Sequence, residues 1–134
     1  MIAADTSVLV AAFASLRENH ESARRPLDRG LRLIEHCALE TYSVLTRLPA
    51  PHRSSDTVAR EFLRTRFPQP FLRLTAHAYK DFILGLPDHG ITGAMAYDAL
   101  VAATAADCGA ELFTCDRRAI PVYERYGVRT RILT

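Results

Sequence analysis

The sequence predicts a three-layer α/β/α fold built on a central, mainly parallel sheet of about five short strands. Three observations carry that prediction. Short apolar runs alternate with stretches of helical periodicity, the signature of strand–helix units feeding a parallel sheet. Proline and glycine punctuate the joins, notably at Gly30, Pro49, Pro51, Pro68, Pro70 and Gly109. No internal repeat, low-complexity tract or long linker divides the 134 residues, so a single domain over 1–134 with one core is expected.

The first strand covers residues 2–4 and runs directly into Asp5-Thr6-Ser7. Val8, Leu9, Ala11, Ala12 and Phe13 then continue as a largely buried helix. A second helix is expected over 20–29, closed by Gly30 as a left-handed terminator, with Pro26 marking a break within it. Residues 31–34 read as the second strand, and 38–48 as a helix that Pro49 and Pro51 stop. Ser54-Ser55-Asp56 caps a helix over 57–67, with Val58, Phe62 and Phe67 on one face, before Pro68 and Pro70 end it. A third strand is expected at 71–74, a helix at 76–86 and a loop at 87–93. The alanine-dense helix over 94–108 ends at Gly109, its small residues allowing close packing on the sheet. The fourth strand is 111–114, a helix spans 117–126, and the last strand is 128–133.

Bulk properties exclude several classes. A charged fraction of 24% and a mean hydropathy of −0.02 argue against disorder and membrane residence alike. No stretch approaches the roughly 18–20 apolar residues that span a bilayer. The first residues lack a basic leader and Asp5 interrupts their apolar run, so no secretion signal is expected and the expected compartment is the cytoplasm. Cys37, Cys108 and Cys115 are odd in number, without Cys-x-x-Cys spacing or a nearby histidine, and read as reduced thiols. The net charge of +2 does not by itself indicate nucleic acid. Every basic residue but Lys80 is arginine, which suits phosphate contacts, although a GC-rich genome produces the same bias.

Four acids carry the chemistry. In an open α/β sheet, ligands bind beyond the carboxyl ends of the strands. Asp5 directly follows the first strand, and Asp116 lies two residues beyond the strand ending at Thr114. Glu40 falls in the first turn of the helix after the second strand, and Asp98 about one turn inside the helix that feeds the fourth. Singly, Asp5 and Asp116 could cap helices, and Glu40 and Asp98 could complement a helix dipole. Together, four carboxylates at one edge repel, and hard divalent cations relieve that repulsion. Two such ions about 3.5–4 Å apart can activate a water and stabilise the leaving oxygen of a phosphodiester.

Asp5-Thr6-Ser7, Glu40-Thr41-Tyr42-Ser43-Val44-Leu45-Thr46-Arg47-Leu48-Pro49, Tyr97-Asp98-Ala99-Leu100-Val101-Ala102 and Thr114-Cys115-Asp116-Arg117-Arg118 make the chain resemble PIN-domain ribonucleases. The nearest likeness is to the VapC-type toxins of bacterial toxin–antitoxin pairs, and it runs from the first strand to the last. It implies a PIN-like fold and an endoribonuclease dependent on Mg²⁺, with Mn²⁺ as a possible substitute. It also implies a homodimer, a VapB-type antitoxin that inhibits the enzyme, and a toxin–antitoxin hetero-oligomer. Asp5, Glu40, Asp98 and Asp116 would be its catalytic and metal-site acids; Thr6, Ser7 and Thr114 would be supporting hydroxyls. Many relatives carry Asn where this chain has Ser7, and some carry a further acid where it has Arg117, Arg118 and Ala119. The acids suggest in-line attack of water on RNA, leaving a 5′-phosphate and a 3′-hydroxyl.

Other residues are weaker candidates. Arg117 and Arg118, beside Asp116, could grip phosphates neighbouring the scissile one. Arg60, Arg64 and Arg53 could track an RNA backbone, or simply form a solvated helix face. Among five scattered histidines, only His89, in the loop before the Asp98 helix, is a candidate general acid, and a surface histidine is the plainer reading. Val8, Leu9, Ala12, Phe13, Leu45, Leu48, Val58 and Phe62 serve a core, with some available for a dimer or antitoxin groove. Two rival readings exist. Phosphatases of the haloacid-dehalogenase type also place an Asp after the first strand, but normally with a second Asp two residues on, where Ser7 stands here. A non-catalytic RNA- or protein-binding module on the same fold would not bind Mn²⁺, which distinguishes it.

Overall fold

A computed structural model describes residues 1–134. Its centre is a four-stranded sheet of β1 (Ile2–Ala4), β2 (Arg32–Leu33), β3 (Glu111–Thr114) and β4 (Thr130–Ile132). Every pairing is parallel, in the order β2-β1-β3-β4, so β1 and β3 hold the middle. Seven helices flank it: α1 (Thr6–Phe13), α2 (His20–Leu27), α3 (Glu35–Arg47), α4 (Asp56–Arg66), α5 (Ala76–Leu84), α6 (Met95–Asp107) and α7 (Ile120–Arg125). Parallel strands need such crossovers, and the chain supplies one or more helices at each. No helix is long and apolar enough to cross a membrane.

The expected sheet of about five strands is reduced to four. Residues 71–74 contribute only an isolated parallel bridge between Leu72 and Ile34. Leu72 donates to the Leu33 carbonyl and accepts from the Glu35 amide, but Pro68 and Pro70 bracket its approach and Phe71 is exposed. A segment entered through proline lacks the donors to extend a ladder. Three helix boundaries also move. The second helix runs through Pro26 and stops at Leu27 rather than 29, where Asp28 and Arg29 bond carbonyls three residues back; Gly30, at φ 78°, turns the chain just beyond. The third starts at Glu35, not 38, directly from Ile34 at the sheet edge. The segment 117–126 divides into a 3₁₀ turn, Arg117–Ala119, and α7, because Pro121 cannot donate to the carbonyl of Arg117. Residues 86–89, expected in a loop, also form a short 3₁₀ turn.

The main core joins Ala3 and Ala4 of β1, Leu112 and Phe113 of β3, Val8 and Leu9 of α1, and Val101, Ala102 and Ala105 of α6. Alanines on the central strand and on α6 let helix and sheet approach closely, as the composition of 94–108 indicated. Val8, Leu9, Ala12 and Leu45 are buried, while Phe13, Phe62 and Leu48 pack against a second small cluster. The Phe13 and Phe62 rings meet edge to face, 5.2 Å apart. Of the apolar set considered for an interface, Val58 alone is exposed. All three cysteines are free thiols, Cys37 wholly buried.

Candidate functional site

Asp5 is where the site begins. The backbone is still extended there, and its amide donates to the Phe113 carbonyl at 3.0 Å, carrying the β1–β3 ladder one residue past the strand. The side chain then caps α1: Oδ1 accepts from the amides of Ser7 (3.1 Å) and Val8 (3.4 Å) and from the Ser7 hydroxyl. Oδ2 accepts from the Tyr123 hydroxyl at 2.7 Å. The capping role is therefore real, and it orients the carboxyl rather than competing with a site.

The ends of β1 and β3 are tied by hydroxyls. Ser7 Oγ accepts from the Cys115 amide at 2.9 Å and lies 3.5 Å from Thr114 Oγ1. Thr114 Oγ1 in turn accepts from the Asp116 amide at 2.9 Å. Asp116 caps the 3₁₀ turn that follows, with Oδ1 accepting from the Arg118 amide at 3.0 Å. Thr6, from the other side, donates to Glu40 Oε1 at 2.9 Å. All three hydroxyls proposed as supports thus lie in the network.

Glu40 sits in the second turn of α3, not the first, because the helix starts early. Asp98 sits in the first turn of α6, closer to the helix start than expected. Asp5, Glu40, Asp98 and Asp116 line a single cavity of about 130 Å³ together with Thr6, Ser7, Val101, Ala119 and Tyr123. No cationic side chain lines it. Asp98 has no protein hydrogen-bond partner on either oxygen, and Asp116 Oδ2 and Glu40 Oε2 are likewise free. No three acidic, histidine or cysteine groups close on one point tightly enough to ligate an ion as they stand.

Electrostatics separates the four acids. Burial pushes the Asp5 carboxyl up, against the hydroxyls of Ser7, Thr114 and Tyr123 and the Val8 amide. Partial burial raises Asp98, and the charges of Asp5, Asp116 and Glu40 raise it further. Glu40 goes the other way: His36, whose Nε2 lies 3.3 Å from Oε1, holds it below its ordinary value, with Thr6 assisting. That contact correspondingly raises His36. A cavity lined by four carboxyl groups, in which three raise the fourth and no cationic side chain intervenes, fits a hard divalent metal.

Asp98 makes this testable without any assay of activity. A carboxyl raised in the folded state binds its proton more tightly folded than unfolded, so its contribution to stability is greatest in acid. It is lost as pH climbs from the ordinary carboxylate range, near 4, through the raised folded value. In metal-free protein, Asp98→Asn should therefore melt at a higher temperature than the unsubstituted chain, with the gap widening from pH 4 to pH 7. A gap that narrows with rising pH contradicts the assignment.

Two participants escaped sequence reasoning. Tyr123 lies seven residues after Asp116, two helical turns, and that spacing was a usable signal. His36 precedes Glu40 by one turn, but it fell between the expected strand and helix. His89, weighed as a general acid against a surface histidine, is exposed and outside the cavity; it stacks on Tyr126 at 4.3 Å and bonds the Gly85 carbonyl. Arg118 reaches Asp116 Oδ1 at 3.4 Å with a nearly fully exposed side chain, while Arg117 lines a separate groove with Glu18 and Ile132. Arg60 and Arg64 share a single carboxylate, Glu61, and Arg53 bonds the neutral Leu48 carbonyl, so that face keeps an excess of positive charge.

The chain matches the PIN domain over residues 2–125. Ribonuclease VapC40 of Mycobacterium tuberculosis is 48% identical to it over 134 residues, the whole of both chains. Ribonuclease VapC27 of the same organism is 39% identical over 128 residues, 95% of this chain and 93% of the relative. Among solved structures, that of FitAcB from Neisseria gonorrhoeae aligns with a TM-score of 0.67 over 97% of this chain and 96% of the other. Identity there is 22%, so the likeness bears on the fold alone.

Proposed function

Since this chain belongs to the PIN-domain family, with VapC ribonucleases among its relatives, we propose that it is a divalent-metal-dependent endoribonuclease and the toxin of a toxin–antitoxin pair. The observation that carries the reading is the convergence of Asp5, Glu40, Asp98 and Asp116, each from a different element, on one cavity free of cationic side chains. Asp5, Asp98 and Asp116 would hold Mg²⁺, or Mn²⁺ in its place, and Glu40 a second ion or the attacking water. Bound there, the metal supplies Lewis-acid stabilisation of charge on the phosphate and a more acidic water.

The chain's own groups define the rest. Glu40, kept ionised by His36 and Thr6, offers its free Oε2 to the proton of an attacking water. Asp5 is fixed by its hydroxyl and amide donors, so its position does not depend on what it binds. Water adds to phosphorus as its proton passes to Glu40, the P–O3′ bond breaks, the departing O3′ takes a proton from solvent, and the products are a 5′-phosphate and a 3′-hydroxyl. No side chain becomes a covalent nucleophile. Arg118, beside Asp116 at the rim, would meet a neighbouring phosphate, and Arg117 would meet the RNA further out, from its separate groove. The working unit is residues 1–134 as a single ribonuclease domain, paired as a homodimer in the cytoplasm and silenced by a small VapB-type antitoxin in a hetero-oligomer.

Incubation with total RNA and Mg²⁺ tests this directly. Discrete cuts with 5′-phosphate ends, abolished by EDTA and restored by Mg²⁺ or Mn²⁺, are expected. Cleavage that is indifferent to EDTA sinks the metal assignment. A folded protein that neither cuts RNA nor binds Mn²⁺ is instead a non-catalytic module on this fold.

A further inference from the structure

Tyr97 is a large aromatic residue with 59% of its surface exposed, one position before Asp98 in the first turns of α6. Its ring is nevertheless not free. It stacks on His36 of α3, with centroids 5.6 Å apart and planes within 7° of parallel. His36 is itself anchored, its Nε2 against Glu40 Oε1 at 3.3 Å and its ring within the field of Asp98. The stack therefore bridges the two helices that carry Glu40 and Asp98, and through His36 it touches Glu40, one of the acids lining the cavity.

With one face on His36, a ring this exposed turns its other face to solvent. A single exposed aromatic needs no explanation. A ring already held in one orientation, beside a cavity suited to a phosphodiester, has a specific chemical complement: the face of a nucleobase. Binding a base there loses little side-chain freedom, because the protein has ordered the ring beforehand. The contact demands that the base's own face be open, which it is not inside a duplex.

We infer that Tyr97, backed by His36, is a stacking platform for an unpaired nucleobase next to the scissile phosphate. The inference rests on the ribonuclease reading above and adds a positioning residue to it. Tyr97 acts by positioning; it touches substrate but no reacting atom.

The test uses short unstructured oligoribonucleotides carrying 2-aminopurine at successive positions, and the same strands annealed to a complement. With the full chain and Mg²⁺, the fluorescence of one position adjoining the cut should change on binding, and the duplex should show no such change. Tyr97→Leu, which suits an exposed helix position, should lose that signal and raise KM roughly tenfold or more with kcat within a few-fold. Tyr97→Phe should recover both. Persistence of the signal and of KM in a folded Tyr97→Leu variant overturns the platform. So does a change of oligomeric state in that variant by sedimentation, which would assign the ring to a protein contact. If no RNA is cut but the position-specific signal remains, the enzymatic reading fails and the platform stands.

Discussion

Asp98→Asn is expected to lower RNA cleavage at least about a hundredfold while the protein remains folded, the scale seen when one preorganised electrostatic group is removed from an active site. Asp98 lends itself to this experiment because neither of its oxygens has a protein partner and its surroundings raise its pKa. Nothing in the fold depends on its charge, so the isosteric amide removes one negative charge from the cavity and little else. Loss of activity should accompany the gain in metal-free melting temperature described above. The conjunction is informative: a substitution that merely damages the fold would move both quantities downward. Asp5→Asn should be as inactive but without the same gain, since Oδ1 and Oδ2 both serve hydrogen bonds that an amide can satisfy only by reorienting the Tyr123 hydroxyl. Full activity in folded Asp98→Asn would rule out the metal site as drawn.

Phe113→Ala is the substitution expected to harm stability most, by about 3–5 kcal/mol. Phe113 lies at 1% exposure in β3, between β1 and β4, with the Arg131 guanidinium 5.6 Å from its ring centroid. Against a total stability of roughly 5–15 kcal/mol, that loss leaves a marginal protein. Urea titration should show a lower midpoint with an unchanged slope. Because the Phe113 carbonyl receives the Asp5 amide, relaxation of the strand also disturbs the carboxyl that opens the site. A midpoint within error of the parent would mean the ring is not enclosed as described.

The parts of this molecule that were legible in the sequence share a physical character. β1 and β3 are apolar runs followed at once by polar residues, and a buried strand emerging at a sheet edge has few other ways to look. Asp5 and Asp116 inherit their placement from those strands. The site acids on helices were less exact. The start of α3 depends on Ile34 leaving the sheet directly into a helix, which no capping side chain announces. Glu40 consequently lies a turn deeper than its sequence context indicated, and His36 went unnoticed. The missing strand at 71–74 shows the opposite error: its apolar pattern is sound, but pairing requires amides that the flanking prolines deny. Tyr123 required knowing that α7 folds back over the carboxyl end of β1, a tertiary fact with only a seven-residue spacing to hint at it.

The order of strands in the sheet has a consequence for how the protein comes into being. β1 emerges from the ribosome first, yet its inner neighbour β3 is not made until residues 111–114. Until then the Asp5 amide has no Phe113 carbonyl to bond, Ser7 has no Cys115 amide, and Asp116 does not exist. A nascent chain lacking its last quarter thus cannot assemble the cavity, whatever its helices do meanwhile. Whatever chemistry the four acids perform is thus confined to chains that extend past Asp116 and Tyr123, and shorter products of interrupted translation lack the site.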